Sequence, residues 1–129
     1  MFVIEDDNNE MFGFYFIKQI PLNENYIETD DKSFYFILNS KRNPSPMKFN
    51  LQYFPYGIHL FSKHSDKLIR LGDILLFKED FKEKSLCRRN VDKCYGDYNG
   101  IDDALCGKSG SKRSGMNFIP KRILVIQMG

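Results

Sequence analysis

The sequence predicts a mainly β protein, α+β at most, built as a two-sheet antiparallel β-sandwich with little helix. Within residues 12–17, phenylalanine occupies every second position, and this period of two places three phenyl rings on one face of a strand. Short apolar runs then recur along the chain between turn-forming residues, a pattern typical of sandwiches. The 129 residues, of which 42% are hydrophobic, suffice for a single domain spanning 1–129.

The first hairpin is predicted from the segment FVIEDDNNEMFGFYFI. Its two apolar runs flank the polar residues 6–9, whose Asp and Asn side chains favour turns by bonding to their own backbone. The next run, SFYFIL at 33–38, lies between two groups of turn formers. We therefore expect a strand there that is buried on both faces.

The remaining elements are shorter. Four strand candidates are separated by Pro, Gly, Ser and Asp, and they lie at 48–51, 58–61, 68–71 and 74–77. A last strand at 122–127 follows Pro120, which cannot donate to a ladder and so fits near the start of a strand. Between residue 77 and the last strand, the segment 78–117 is irregular, with a helical turn expected only at 79–86.

Membrane and secretory segments are not expected. The longest apolar runs, 74–77 and 123–126, are far shorter than a membrane span. Residues 1–4 run directly into acidic residues, unlike a secretory signal. These features predict a cytoplasmic protein with no membrane insertion, and a nuclear location is the alternative.

A Gly-Lys-Ser sequence at 107–109 raises the question of a phosphate-binding loop. That loop requires a glycine five residues before Gly107, where this chain has Asp102. The following residues, 109–115, show no apolar periodicity of a helix that would complete the site. We interpret this segment as a basic loop and expect no nucleotide cofactor.

The number and spacing of the three cysteines limit the thiol chemistry that the chain can perform. An odd number at 87, 94 and 106 argues against a closed disulfide framework, and the spacing matches no zinc pattern. Basic neighbours at 88, 89 and 93 would favour the thiolates of Cys87 and Cys94, which are the candidate redox residues. The simpler interpretation is a set of reduced cysteines, with Cys106 buried as a small hydrophobic residue.

Charge is unevenly distributed behind a net charge of +2. The first 31 residues carry eight acids and one lysine, whereas no acid follows Asp103. Such a basic end can contact nucleic acid or an acidic protein surface. The candidate binding residues are Lys108, Lys112, Arg113, Lys121 and Arg122. A solvated loop is the simpler interpretation, because only Phe118 offers an aromatic ring for stacking.

No catalytic or metal site is predicted. His59 and His64, five residues apart in a strand, would face opposite sides unless a turn intervenes. The acidic pairs at 30–31 and 102–103 lack the further oxygen ligands of a calcium loop, and they suit turns or a helix cap. We therefore expect a protein that is not an enzyme and holds no metal or cofactor.

Several motifs follow one another along the chain: Phe12-Gly13 after the acidic turn, Ser33-Phe34-x-Phe36-x-Leu38, the stretch from Cys94 to Leu105, and Phe118 with the closing apolar strand. Together they resemble the TLDc family, the domain type associated with oxidation resistance. The resemblance spans nearly the whole chain, Phe2 to Gly129. The order and spacing of the motifs, rather than any one motif, carry it.

The resemblance implies a sandwich of two antiparallel sheets in an intracellular eukaryotic protein. Family members protect against oxidative damage, and some bind the peripheral part of the vacuolar proton pump. They usually begin with further residues ahead of the part similar to Phe2, so this chain resembles a shortened domain. An edge or apolar face is then expected to be uncovered, and a protein partner or a second copy of the chain would cover it.

Two departures limit what the resemblance implies. Lys32 stands where the family often has an acid, and Leu124 and Ile126 stand where it commonly has an acid and a tryptophan. We expect a non-catalytic interaction domain in oxidative-stress response, acting through protein binding. The alternatives are a nucleic-acid-binding regulator that uses the basic C-terminal segment and a thiol-based redox protein.

Overall fold

A computed structural model describes residues 1–17, 25–28, 32–39, 46–50, 57–72, 74–87 and 116–127. Within these ranges the chain forms eleven strands and one 3₁₀ helix. The strands are β1 (Phe2–Asp6), β2 (Met11–Tyr15), β3 (Tyr26–Ile27), β4 (Phe34–Asn39), β5 (Met47–Asn50), β6 (Ile58–Leu60), β7 (Lys67–Leu71), β8 (Ile74–Phe77), β9 (Leu86–Cys87), β10 (Met116–Asn117) and β11 (Pro120–Val125). The 3₁₀ helix, Glu79–Lys84, lies between β8 and β9.

The strands form two antiparallel sheets, as predicted. One has five strands in the order β11-β1-β2-β4-β5, and the other has six in the order β10-β9-β8-β7-β6-β3. The predicted first hairpin is confirmed, since β1 and β2 pair with Phe2 opposite Phe14 and Ile4 opposite Phe12. The four short strands expected between 48 and 77 are also present as β5 to β8.

The core lies between the inner faces of the two sheets. In the six-stranded sheet, directly paired residues form one apolar row across all six strands: Ile27, Ile58, Leu71, Ile74, Cys87 and Met116. The five-stranded sheet contributes mostly rings, with Phe12 edge-on to Phe118 at 5.1 Å and Phe14 tilted against Tyr35 at 5.0 Å. Such offset contacts are the arrangement that aromatic rings prefer. Burial of these side chains is the main driving force for closing the sandwich.

Two predicted elements differ in detail from the structure. The strand expected at 33–38 is β4, and its middle residues 35–37 are buried, but Leu38 is 39% exposed, so burial on both faces ends one residue early. The helical turn expected at 79–86 is the 3₁₀ helix followed by β9. In the described part of the chain, no helix has the length and hydropathy of a membrane span.

Candidate binding surfaces

The edge strand β11 is the first candidate surface. It pairs with β1 on one side and lies at the end of the five-stranded sheet among the described residues. Met1 and Ile126 exchange two hydrogen bonds of 2.8 Å, each amine or amide donating to the other's carbonyl. Because hydrogen-bonded pairs alternate along an antiparallel ladder, the peptide groups of Val125 and Ile123 point away from β1.

The second half of this edge is apolar and exposed. Leu124 and Ile126 are each 38% exposed, and Val125 is 66% exposed. Val125 pairs with Phe2 and therefore lies on the core side of the sheet, at its rim. An open edge with consecutive exposed apolar side chains is a template for pairing with another strand.

The first half of β11 is basic and carries two of the predicted binding residues. Arg122 Nη2 lies 2.7 Å from Glu5 Oε2, and Lys121 Nζ lies 3.9 Å from Glu5 Oε1. Both cations are more than half exposed, so each ion pair contributes little to stability. Glu5 offsets part of their charge. The other three predicted residues, Lys108, Lys112 and Arg113, lie outside the described residues.

The β1–β2 turn holds a buried carboxyl group. Asp6 Oδ1 accepts hydrogen bonds from the backbone N–H of Asn8 at 2.9 Å and of Glu10 at 3.0 Å. Asp6 Oδ2 has no hydrogen-bond partner and is fully buried. Desolvation raises the pKa of Asp6 above its ordinary value, and the nearby Glu10 carboxylate raises it further, against the lowering effect of the two backbone hydrogen bonds. Because solvent does not reach it, this carboxyl group acts on the turn rather than on a substrate.

Of the two candidate redox residues, the described part of the chain includes only Cys87. Cys87 is a free cysteine in β9 with no exposed surface, and it lies in the inner apolar row of the six-stranded sheet. A thiol in that position can react only when the sheet opens locally. Cys94 lies outside the described residues.

The outer face of the six-stranded sheet is a surface that the sequence did not indicate. Directly paired residues again form a row across all six strands: Tyr26, His59, Arg70, Leu75, Leu86 and Asn117. At the β3 end, the His59 ring stacks on the Phe61 ring with centroids 4.2 Å apart, and Tyr26 meets His59 edge-on at 6.4 Å. The pairing of β3 with β6 creates this cluster, and the sequence gives little signal for a two-residue strand.

The two histidines lie in different structural elements. His59 is in β6, whereas His64 lies in the exposed turn before β7, which is closed by a hydrogen bond from the Ser65 N–H to the Ser62 carbonyl. Among the residues that the structure describes, no group of three His, Cys, Asp or Glu side chains could hold a metal ion.

Comparison of the chain with protein-family models, with curated proteins and with solved structures finds no match. The fold and the two surfaces are therefore assigned from the structure alone, and the TLDc resemblance stays a prediction.

Proposed function

We propose that this chain is a non-catalytic, TLDc-like interaction domain that acts in oxidative-stress response by binding a protein partner. The observation that carries the proposal is the β11 edge, which no other described strand covers and where outward peptide groups and exposed apolar side chains occur together. Vacuolar proton-pump subunits are the partner class that the family resemblance implies.

The proposed mode of binding is addition of a partner strand to β11. The N–H and C=O groups of Ile123 and Val125 would form the new ladder, since they point away from β1. The exposed side chains of Leu124 and Val125 would lose water on contact with the partner, which supplies the hydrophobic part of the affinity. Backbone pairing gives affinity, and the side-chain contacts give selectivity.

The stress-response part of the proposal rests on the resemblance. A sandwich of two antiparallel sheets is the architecture that the family implies, and the described residues have it. The two alternatives gain no such support at the residues predicted for them. Lys121 and Arg122 are partly neutralised by Glu5, and Cys87 is enclosed in the core.

Val125→Pro is the variant that tests the edge. Proline removes the outward N–H while leaving the β1 hydrogen bonds, and strands accept proline where that N–H faces solvent. Val125→Thr is the matched control, because it keeps both the branched shape and the N–H. The measurement is a pull-down from nuclease-treated lysate, in which the wild-type chain recovers proton-pump subunits or another identified protein. We expect Val125→Pro to lose this protein and Val125→Thr to retain it.

The same variants connect binding to stress protection. In cells that lack the protein, the wild type and Val125→Thr should restore survival in peroxide, and Val125→Pro should not. Equal urea midpoints for the three chains would show that folding is unchanged. Equal recovery of the same partner by Val125→Pro and Val125→Thr would exclude the β11 edge as the binding surface.

A further inference from the structure

The outer face of the six-stranded sheet combines rings and positive charge on three neighbouring strands. We name the aromatic–basic face for the side chains of Tyr26, His59, Phe61, Lys67, Leu68 and Arg70. Tyr26 is 46% exposed and Leu68 is 43% exposed, although both are large side chains. It belongs to the opposite sheet from β11, so what it binds is independent of the proposed protein partner.

The rings on this face are held in place by one another. His59 and Phe61 stack within 14° of parallel, and the Lys67 ammonium lies 5.5 Å from the centre of the Phe61 ring. The planes of the Tyr26 and His59 rings are 86° apart, so Tyr26 makes a T-shaped contact with His59. A ring that is nearly half exposed and packed against its neighbours is suited to stacking against a flat ligand.

Arg70 supplies charge in the middle of the row. It is partly buried between His59 and Leu75 on the neighbouring strands. Among the described residues it has no acidic side chain within ion-pairing distance, whereas Lys121 and Arg122 of β11 share Glu5. A guanidinium group that is held on a sheet, and that no carboxylate of the described residues pairs with, is suited to bind a phosphate oxygen.

Two lysines lie where β6 connects to β7, the strand that carries Arg70. Lys63 is exposed in the turn between β6 and β7, and Lys67 begins β7. The nearby acids are Glu28, just after β3, and Asp66, whose carboxylate lies 3.9 Å from Lys84. Lys63, Lys67 and Arg70 outnumber these two acids, and Lys84 offsets part of the charge of Asp66, so the face is positive.

We propose that the aromatic–basic face binds single-stranded nucleic acid, with a base stacked on Tyr26 and phosphates bound by Arg70 and the neighbouring lysines. Single strands fit because their bases are free to stack on protein rings, whereas the bases of a duplex are already stacked on one another. An acidic peptide would satisfy the charge of this face but would bring no base to stack on the exposed Tyr26 ring.

Fluorescence anisotropy of the full chain with a labelled oligothymidylate of about 12 nucleotides tests the proposal. Tyr26→Leu keeps the apolar bulk but removes the ring, and we expect about 5- to 100-fold weaker binding. Tyr26→Phe keeps the ring and should bind like the wild type. Lys121→Gln is the matched control for charge, because it removes a cation from the opposite sheet, and its binding should change by less than about twofold.

Salt dependence tests the phosphate contact separately. Between about 50 and 200 mM salt, Arg70→Gln should bind more weakly than the wild type, with a log–log slope smaller by about 0.7. Absence of wild-type binding at low salt would overturn the proposal. So would equal competition by polyglutamate of the same charge, or equal affinities for Tyr26→Leu and Tyr26→Phe. If Tyr26→Leu does not fold, the slopes of Arg70→Gln and Lys121→Gln decide, since only the former should change.

Discussion

At the scale of single residues, the Asp6 side chain both holds the β1–β2 turn and destabilises it. Its Oδ1 atom holds the backbone N–H groups of Asn8 and Glu10, while Asn9 adopts a positive φ of 63°, which asparagine tolerates better than most residues. The other oxygen, Oδ2, is buried without a hydrogen bond, and a buried polar atom without a partner costs stability. The same side chain therefore supports the turn with one atom and opposes folding with the other.

Replacement of Asp6 by asparagine should raise the free energy of unfolding at neutral pH by about 1–2 kcal/mol. The amide keeps the Oδ1 acceptor and removes the buried charge near Glu10. In the wild type, burial raises the folded-state pKa of Asp6 above its unfolded value, so its charged form is disfavoured on folding. The favourable contribution of the Asp6 carboxyl group to the free energy of unfolding is therefore complete below the unfolded-state pKa. It is lost as the pH rises through the raised folded-state pKa.

Urea unfolding as a function of pH measures this difference. The gap between Asp6→Asn and the wild type should be largest at pH 7 and should narrow as the pH approaches 4, because the wild-type carboxyl then becomes protonated. Asp7→Asn is the matched control, since Asp7 is exposed in the same turn. A gap that does not change with pH would mean that the charge of Asp6 is not the cause.

At the scale of elements, the sequence predicts strands well where the apolar pattern is long. The strands β1, β2, β4 and β11 are each five or six residues long and contain alternating or continuous apolar residues, and all were predicted. The two-residue strands β3, β9 and β10 were not, because two residues cannot display a period. Tertiary pairing alone creates them, and one of them, β3, completes the aromatic–basic face. Half of the candidate binding surfaces therefore could not be predicted.

The position of Cys87 in β9 predicts that its thiol reacts slowly in the folded chain. In a Cys94→Ser/Cys106→Ser chain, the remaining Cys87 should react with a disulfide reagent far more slowly than it does in the urea-unfolded chain. The reason is that Cys87 lies fully buried between β8 and β10, so reaction requires those strands to separate. A time course of thiol release, with and without urea, measures both rates.

The control for this experiment is Met116→Ala in the same double-serine background. Met116 pairs directly with Cys87 across the β9–β10 ladder, so its truncation should ease local opening and speed the reaction. Rapid labelling of Cys87 in the folded chain, unchanged by Met116→Ala, would contradict the buried position and favour the redox alternative.

At the scale of the whole molecule, the important fact is how the two sheets meet. Tyr35 of the five-stranded sheet reaches the β7–β8 turn of the other sheet, where its hydroxyl donates to the Leu71 carbonyl at 3.5 Å. The next residue, Gly72, has a φ of +61°. The sequence marks Gly72-Asp73 as a turn, but it does not reveal that a tyrosine 37 positions earlier lies against it. Contacts between sheets depend on topology, which alternation within one strand does not encode.

This contact predicts that Gly72→Ala is strongly destabilising and that Tyr35→Phe partly rescues it. A Cβ atom at position 72 would overlap the Tyr35 hydroxyl oxygen, whereas the nearest ring carbon lies 3.0 Å away. Left-handed backbone costs alanine about 1–2 kcal/mol, and overpacking adds about 1–3 kcal/mol. Removal of the hydroxyl should relieve only the second cost, so a double-mutant cycle in urea should give a coupling free energy of about 1 kcal/mol or more. Additive effects of the two changes would mean that the sheets do not meet at this turn, and the packing of the sandwich would then have to be reassigned.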